Sequence, residues 1–138
     1  MSVEGMDVVR QARTWLGTPY HHQGRLKGVG VDCAGLLIGV AHELGLSDFD
    51  IFGYPPRPDG DSLRRLCEAQ MQSITLEQAR AGDVLLFRFD THPCHLGVLS
   101  APDQLIHAYL PRRRVVEHTL DAAWWRQLAG LYRLPGVV

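Results

Sequence analysis

From Gly82 onward the chain is cut into short apolar runs separated by turn residues: DVLLFRF, HLGVLS, QLIHAYL, RVVEHTL and a closing LYRL. Runs of that length, rich in aliphatic and aromatic residues and bounded by Gly, Pro, Asp and Ser, read as antiparallel strands. The first half lacks them. There Val3, Met6, Val9, Ala12, Trp15 and Leu16 recur at helical spacing until Gly17 and Pro19 break the pattern, which predicts a helix over residues 3–16. The run CAGLLIGVAHELGL predicts a second, largely buried helix, with Asp32 placed to cap it and Gly45 to end it. Leu63, Leu66, Cys67, Met71 and Ile74 mark a third, started by Asp61 or Ser62. Residues 17–31 hold Gly24, Gly28 and Gly30 with no sustained period and read as a loop. AAWWRQ, before the last strand, reads as a helical turn that plugs Trp124 or Trp125 into the core. Helices first and strands afterwards is the pattern of an α+β domain, not of alternating βαβ units.

The chain has 138 residues, 46% of them apolar, enough for one packed core, and no repeat or linker divides it, so a single domain over 1–138 is expected. Its 14 basic and 15 acidic residues cancel, which leaves no electrostatic footprint for nucleic acid and no polybasic membrane anchor. No segment offers the roughly 20 uninterrupted apolar residues of a membrane helix. The opening MSVEGMDVVRQ lacks the basic start and apolar run of a secretory signal, so a soluble protein made in the cytoplasm is expected. Three cysteines, Cys33, Cys67 and Cys94, form no CxxC pair; they fit neither a disulfide scaffold nor a zinc ribbon, and at least one thiol should be free. THPCH offers no complete set of four ligands, so no metal is expected.

A thiol attacks a carbonyl as thiolate, and Cys33 sits at a predicted helix start, where unpaired N–H groups and the positive end of the dipole favour an anion. The same N–H groups suit an oxyanion, and Ala34 and Gly35 leave room for a substrate. A base and a group to orient it are then needed. Period-2 geometry puts His95, Gly97 and Leu99 on one strand face, and His107 shares its face with Leu105 and Tyr109. The turn around Pro102 and Asp103 makes the two strands a hairpin, so His95 and His107 become cross-strand neighbours and a Cys33/His95/His107 triad follows. Each histidine alone would be explained as a half-buried strand residue bonded to a carbonyl. Cys67 reads as a core residue, Trp124 and Trp125 as core or interface aromatics, and Arg112 to Arg114 as a solvated hairpin turn. Of the other histidines, His21, His42, His92 and His118 read as surface residues. His22 stands apart because it lies two positions after Tyr20.

The succession GTPYHHQG, VDCAGLL, AGDVLLF, HLGVL and LIHAY, from Leu16 to Tyr109, resembles the NlpC family of papain-like cell-wall endopeptidases. Its members carry a Tyr in a PY loop, a DCSG-type cysteine motif, a GD-led strand, an HxG histidine and a downstream IHA. The resemblance implies Cys33 as nucleophile, His95 as base and His107 as third member. Tyr20 would lie beside the sulfur and help polarise or orient the substrate carbonyl, and Asp32 would help bind the free amine of a peptide stem; the small Ala34 and the loop residue His22 are read as substrate-site residues from their positions alone. The resemblance also implies a helix bearing the cysteine packed on an antiparallel sheet, no cofactor, and as substrate the D-glutamyl to diaminopimelate bond of peptidoglycan stems. Ala34 stands where a serine is usual and keeps the position small. A chain without an appended wall-binding domain is similar to domains encoded with phage tails, whose particle delivers the enzyme to the wall. Two other readings fit the same cysteine: an acyltransferase or amidase acting on a lipid or small amide, and a non-catalytic tail or wall-binding module.

Overall fold

The computed structural model describes residues 2–57 and 60–138. Helix α1 spans Gly5–Arg13, with Glu4 as its cap and the Asp7 carboxylate accepting the Glu4 N–H in return (2.8 Å). It is shorter than its apolar pattern because Val3 is drawn into a bridge with Val137 and Trp15 turns inward beyond the last helical turn. Between α1 and the next helix, the loop expected over 17–31 contains a two-stranded hairpin, β1 (Arg25–Leu26) and β2 (Gly30–Val31).

Helix α2 spans Cys33–Glu43 and is buried nearly all round, with Leu36, Leu37, Ile38, Val40 and Ala41 inside. A helix so apolar belongs in a core, and α1 can close over it because Gly39 has no side chain. A Cβ there would stand 2.4 Å from the Trp15 ring. An interior glycine costs a helix about 1 kcal/mol, which the close packing of Trp15 offsets. Helix α3 spans Ser62–Gln70 with the apolar stripe Leu63 and Cys67 buried. It stops before Ile74, because Gln72–Ser73 (β3) is extended and pairs with the last strand.

The remainder forms β4 (Val84–Arg88), β5 (Pro93–Ala101), β6 (Gln104–Tyr109), β7 (Arg114–Thr119), α4 (Ala122–Arg126) and β8 (Leu128–Arg133). The sheet order is β3-β8-β4-β5-β6-β7, with every pair antiparallel. The α+β reading and all five strand runs hold, and AAWWRQ does form a helical turn. Alternation divides the sheet: Val84, Leu86, Leu96, Val98, Ile106 and Ala108 face the helices, while Leu85, Phe87, Leu99 and Leu105 face a second cluster closed by Leu120, Trp124 and Trp125. Asp83, buried at the head of β4, accepts Arg133 Nε and Nη2 at 2.8 and 2.9 Å and the Arg80 N–H at 2.9 Å. That carboxylate ties β4 to β8 and gives the GD motif its structural work. Among the described residues no helix is long and apolar enough to cross a membrane.

Candidate active site

Cys33 is the first helical residue of α2, and Asp32 caps it by accepting the Gly35 N–H at 2.8 Å. Asp32 is 2% exposed. Its Oδ1 also receives Arg25 Nη1 at 3.2 Å, and its Oδ2 receives the Gln23 N–H at 2.8 Å and the Tyr54 hydroxyl. Arg25 in turn gives Nε to Asp50 (2.9 Å), its other Nη1 hydrogen to the Gly24 carbonyl (2.9 Å), and Nη2 to the Ile51 carbonyl and the Tyr54 oxygen (2.9 and 3.0 Å). A carboxylate has about four acceptor positions and a guanidinium five N–H donors; here all are taken. The start of α2 is thereby fastened to the loops around Gln23 and Tyr54. Among the described residues Asp32 thus anchors the start of α2 while also lying in the wall of the cleft, with His22 Nδ1 3.9 Å from its Oδ2.

The thiol of Cys33 does not match the expectation of a resting thiolate. Burial pushes it up to about 12, with Asp32 adding to the shift, and the Leu96 and Ala34 backbone N–H groups at the sulfur oppose it without prevailing. Desolvation at this helix start outweighs the dipole. Tyr20 is pinned by its N–H to the Arg113 carbonyl (2.9 Å) and by a bridge to Val31. Burial, with Cys33 and Asp32 adding, holds its hydroxyl near about 12, so it remains a proton donor at neutral pH.

The histidines come from the sheet. Val98 pairs with Ile106 and Leu99 with Leu105, which sets His95 and His107 diagonally across β5 and β6 on one face. His95 Nε2 lies 2.6 Å from His107 Nδ1. They meet because Gly97, between them, has no side chain: a Cβ there would stand 2.5 Å from Leu105 Cδ1 and 3.2 Å from His107 Cβ. His95 is 6% exposed and His107 fully buried. Burial pushes His95 down to about 3, with His118 adding, and His107 down to about 2, with His95 and His118 adding. Both rings are neutral at neutral pH. Phe89 stacks on His95 (centroids 5.1 Å apart), Tyr109 stacks on His107 (4.6 Å), and Trp124 meets His107 edge-on (5.3 Å).

One cleft of about 870 Å³ brings together Tyr20, Cys33, Ala34 and His95, with Asp32 and His22 also in its wall. His107 stands behind His95. His22 gives its Nε2 to the Tyr54 carbonyl at 3.1 Å, which holds it at the rim. Cys67 is a core residue. Cys94, in the THPCH run, lines the cleft as well, because the β4–β5 register slips from Phe87–His95 to Arg88–Pro93 and leaves Cys94 as the extra residue of a bulge.

Three participants escaped the sequence reading. Arg25 and Tyr54 lie in stretches without periodicity and meet Asp32 only through tertiary folding. His118, read as a surface residue, is partly buried with its Nε2 2.8 Å from His107 Nε2. The signal existed: Leu105 pairs with His118 and His107 with Val116, so one more hairpin register places a third imidazole on the same face.

With its Nε2 directed at His107, His95 has Nδ1 as its remaining ring nitrogen. The cleft thus brings together a partly buried thiol, a neutral imidazole held by a second ring, and the Tyr20 hydroxyl, a donor suited to an oxyanion.

The NlpC/p60 domain of the peptidoglycan hydrolase SagA shares this fold with a TM-score of 0.68 and 26% identity, over 96% of this chain and 100% of that one. An NlpC/P60 family protein from Bacillus cereus gives a TM-score of 0.73 at 21% identity, over 98% of this chain and 41% of that protein. The peptidoglycan hydrolase RipB from Mycobacterium tuberculosis gives 0.63 at 18% identity, over 95% of this chain and 64% of RipB. The chain thus spans less than half of the Bacillus cereus protein and under two thirds of RipB. No curated protein matches the sequence. The NlpC/P60 family pattern matches residues 17–133, its solved members have the papain-like arrangement of cysteine helix on antiparallel sheet found here, and the chain belongs to the NlpC/P60 family.

Proposed function

We propose that this protein is a cysteine endopeptidase that hydrolyses amide bonds in peptidoglycan stem peptides, of the D-glutamyl to diaminopimelate type. The observation that carries the reading is the placement of Cys33, at the first turn of α2, in one cleft with His95, whose far nitrogen is bonded to His107. The SagA domain and RipB, both named peptidoglycan hydrolases, support the substrate class.

The sulfur attacks the carbonyl carbon as its proton passes to His95 Nδ1. Because burial holds thiol and imidazole neutral beforehand, charge separates only when an oxyanion forms beside Tyr20 and the first-turn N–H groups. The imidazolium then protonates the leaving nitrogen, the C–N bond breaks, and a thioester remains on Cys33. Water, giving a proton to His95, attacks the thioester, and the acid leaves as the thiol is restored. His107 orients His95, Asp32 holds the start of α2, and Ala34 and His22 border the bound peptide.

Peptidoglycan digested by the wild type and by Cys33→Ala and resolved by mass spectrometry tests this. The wild type should release paired stem fragments that the variant does not. Identical digests would remove Cys33 from the mechanism. A second reading draws on the apolar wall that Ile51, Leu63, Leu66 and Leu110 give the cleft: an amidase or acyltransferase acting on a lipid or small amide. An acylated acceptor in place of hydrolysed fragments would favour it.

A further inference from the structure

The hydrogen bonds around His107 continue past the expected triad. His118 Nδ1 lies 2.9 Å from the Thr119 carbonyl, its Nε2 lies 2.8 Å from His107 Nε2, and His107 Nδ1 lies 2.6 Å from His95 Nε2. A carbonyl only accepts, so His118 must carry its proton on Nδ1. A neutral imidazole has one donor and one acceptor nitrogen, so in its neutral form His118 accepts at Nε2. His107 must then donate from Nε2 and accept at Nδ1, and His95 must donate from Nε2. Its Nδ1 is left bare, which is what a base for the thiol requires. One peptide carbonyl thus sets the tautomers of three rings in series.

The opposite polarity has a definite consequence. Were His107 to carry its proton on Nδ1, His95 Nε2 would have to accept, and a neutral His95 would carry its proton on Nδ1. The ring would then offer the sulfur a donor and could take no proton from it.

We propose that His118 is a positioning residue of this site: it accepts the His107 Nε2–H, anchored by its own bond to the Thr119 carbonyl, and so keeps His95 Nδ1 free to receive the thiol proton. The surroundings fit a fixed ring. Trp124 packs against both His118 (5.4 Å) and His107 (5.3 Å), and β7 is held to β6 in continuous register from Gln104–Thr119 to Tyr109–Arg114. The inference rests on the reading of Cys33 and His95 as nucleophile and base, but the chain of ring protons can be observed apart from it.

The test uses the whole protein labelled with ¹⁵N-histidine, at a pH above the ordinary histidine range, where ring nitrogen shifts report the tautomers directly. In the wild type His95 and His107 should both carry the proton on Nε2 and His118 on Nδ1. In His118→Leu the His107 donor has no acceptor, the His95 and His107 tautomers should become mixed or reverse, and alkylation of Cys33 by iodoacetamide should slow by about tenfold, the scale set by one unsatisfied buried donor. His118→Gln, whose side-chain oxygen can accept, should recover most of the rate. A wild-type spectrum with the His107 proton on Nδ1 overturns the proposal whether or not the variants fold. So does a folded His118→Leu protein with unchanged tautomers or an unchanged alkylation rate. If peptidoglycan digests by the wild type and by Cys33→Ala are identical while the ring protons stand as stated, the relay holds and the catalytic reading fails instead.

Discussion

Two polar constructions hold the cleft from opposite sides, and they solve the same burial problem differently. At the start of α2 a carboxylate and a guanidinium, Asp32 and Arg25, pair with each other, and every acceptor and donor they have is met by the protein. On the sheet, three imidazoles meet each other, and burial keeps His95 and His107 neutral. The first construction fixes position: groups locked in a full set of partners hold the start of α2 in place. In the proposed reaction the second moves a proton, since a neutral ring with one bare nitrogen can take one up and pass it on. Catalysis needs both, a sulfur that does not wander and a base whose protonation state can change.

Breaking the ionic side should have the largest effect on stability. Arg25→Met removes the partner of a carboxylate that is 2% exposed, and leaving one member of a buried pair uncompensated costs about 3 to 5 kcal/mol. Urea denaturation should show the midpoint falling by that amount, with activity reduced as α2 loosens. A loss under about 1 kcal/mol would mean that the pair behaves as a surface ion pair. On the histidine side the corresponding lesion is steric. Gly97→Ala puts a methyl 2.5 Å from Leu105 and 3.2 Å from His107, an overpacking worth roughly 1 to 3 kcal/mol. Its larger consequence should be functional: pushing β6 away lengthens the His95–His107 bond, so turnover should fall more than stability explains. Unchanged turnover in a destabilised variant would show that the spacing of the two rings is not critical.

The same contrast explains what could be read from the sequence. Strand alternation and a hairpin turn are local rules, and they place His95, Gly97 and His107 on one face before any coordinates exist. The helix start at Asp32–Cys33 is equally local. What local rules could not supply was the environment: the dipole argument for a low thiol pKa at Cys33 is correct about the direction of one contribution, but burial against Leu96 and the sheet is a tertiary fact and outweighs it. Arg25 and Tyr54 were invisible for a related reason, because they come from stretches 25 and 54 residues into the chain whose only common feature is the carboxylate they converge on. His118 was legible in principle. Extending the period-2 argument by one strand needed the turn at 110–113, where Arg113 takes a left-handed conformation (φ 60°) and fixes the register.

The two constructions should also part company as pH falls. Burial holds His95 near about 3 and His107 near about 2 in the folded protein, whereas an unfolded histidine titrates near about 6.5. Above that value neither state binds a proton at these rings and stability is unaffected. Below it the unfolded chain takes up protons that the folded protein refuses, so stability falls with pH by about 1.4 kcal/mol per unit for each ring, or about 2.7 for the two. Denaturation midpoints measured between pH 6.5 and 5, above the range where most carboxylates titrate, should show that slope. Arg25→Met, though weaker at every pH, should keep it, because its lesion leaves the His95 and His107 rings in place. His107→Leu should halve it. Parallel curves for the wild type and His107→Leu would place the acid sensitivity outside the relay, and with it the claim that this side of the cleft is held together by uncharged rings.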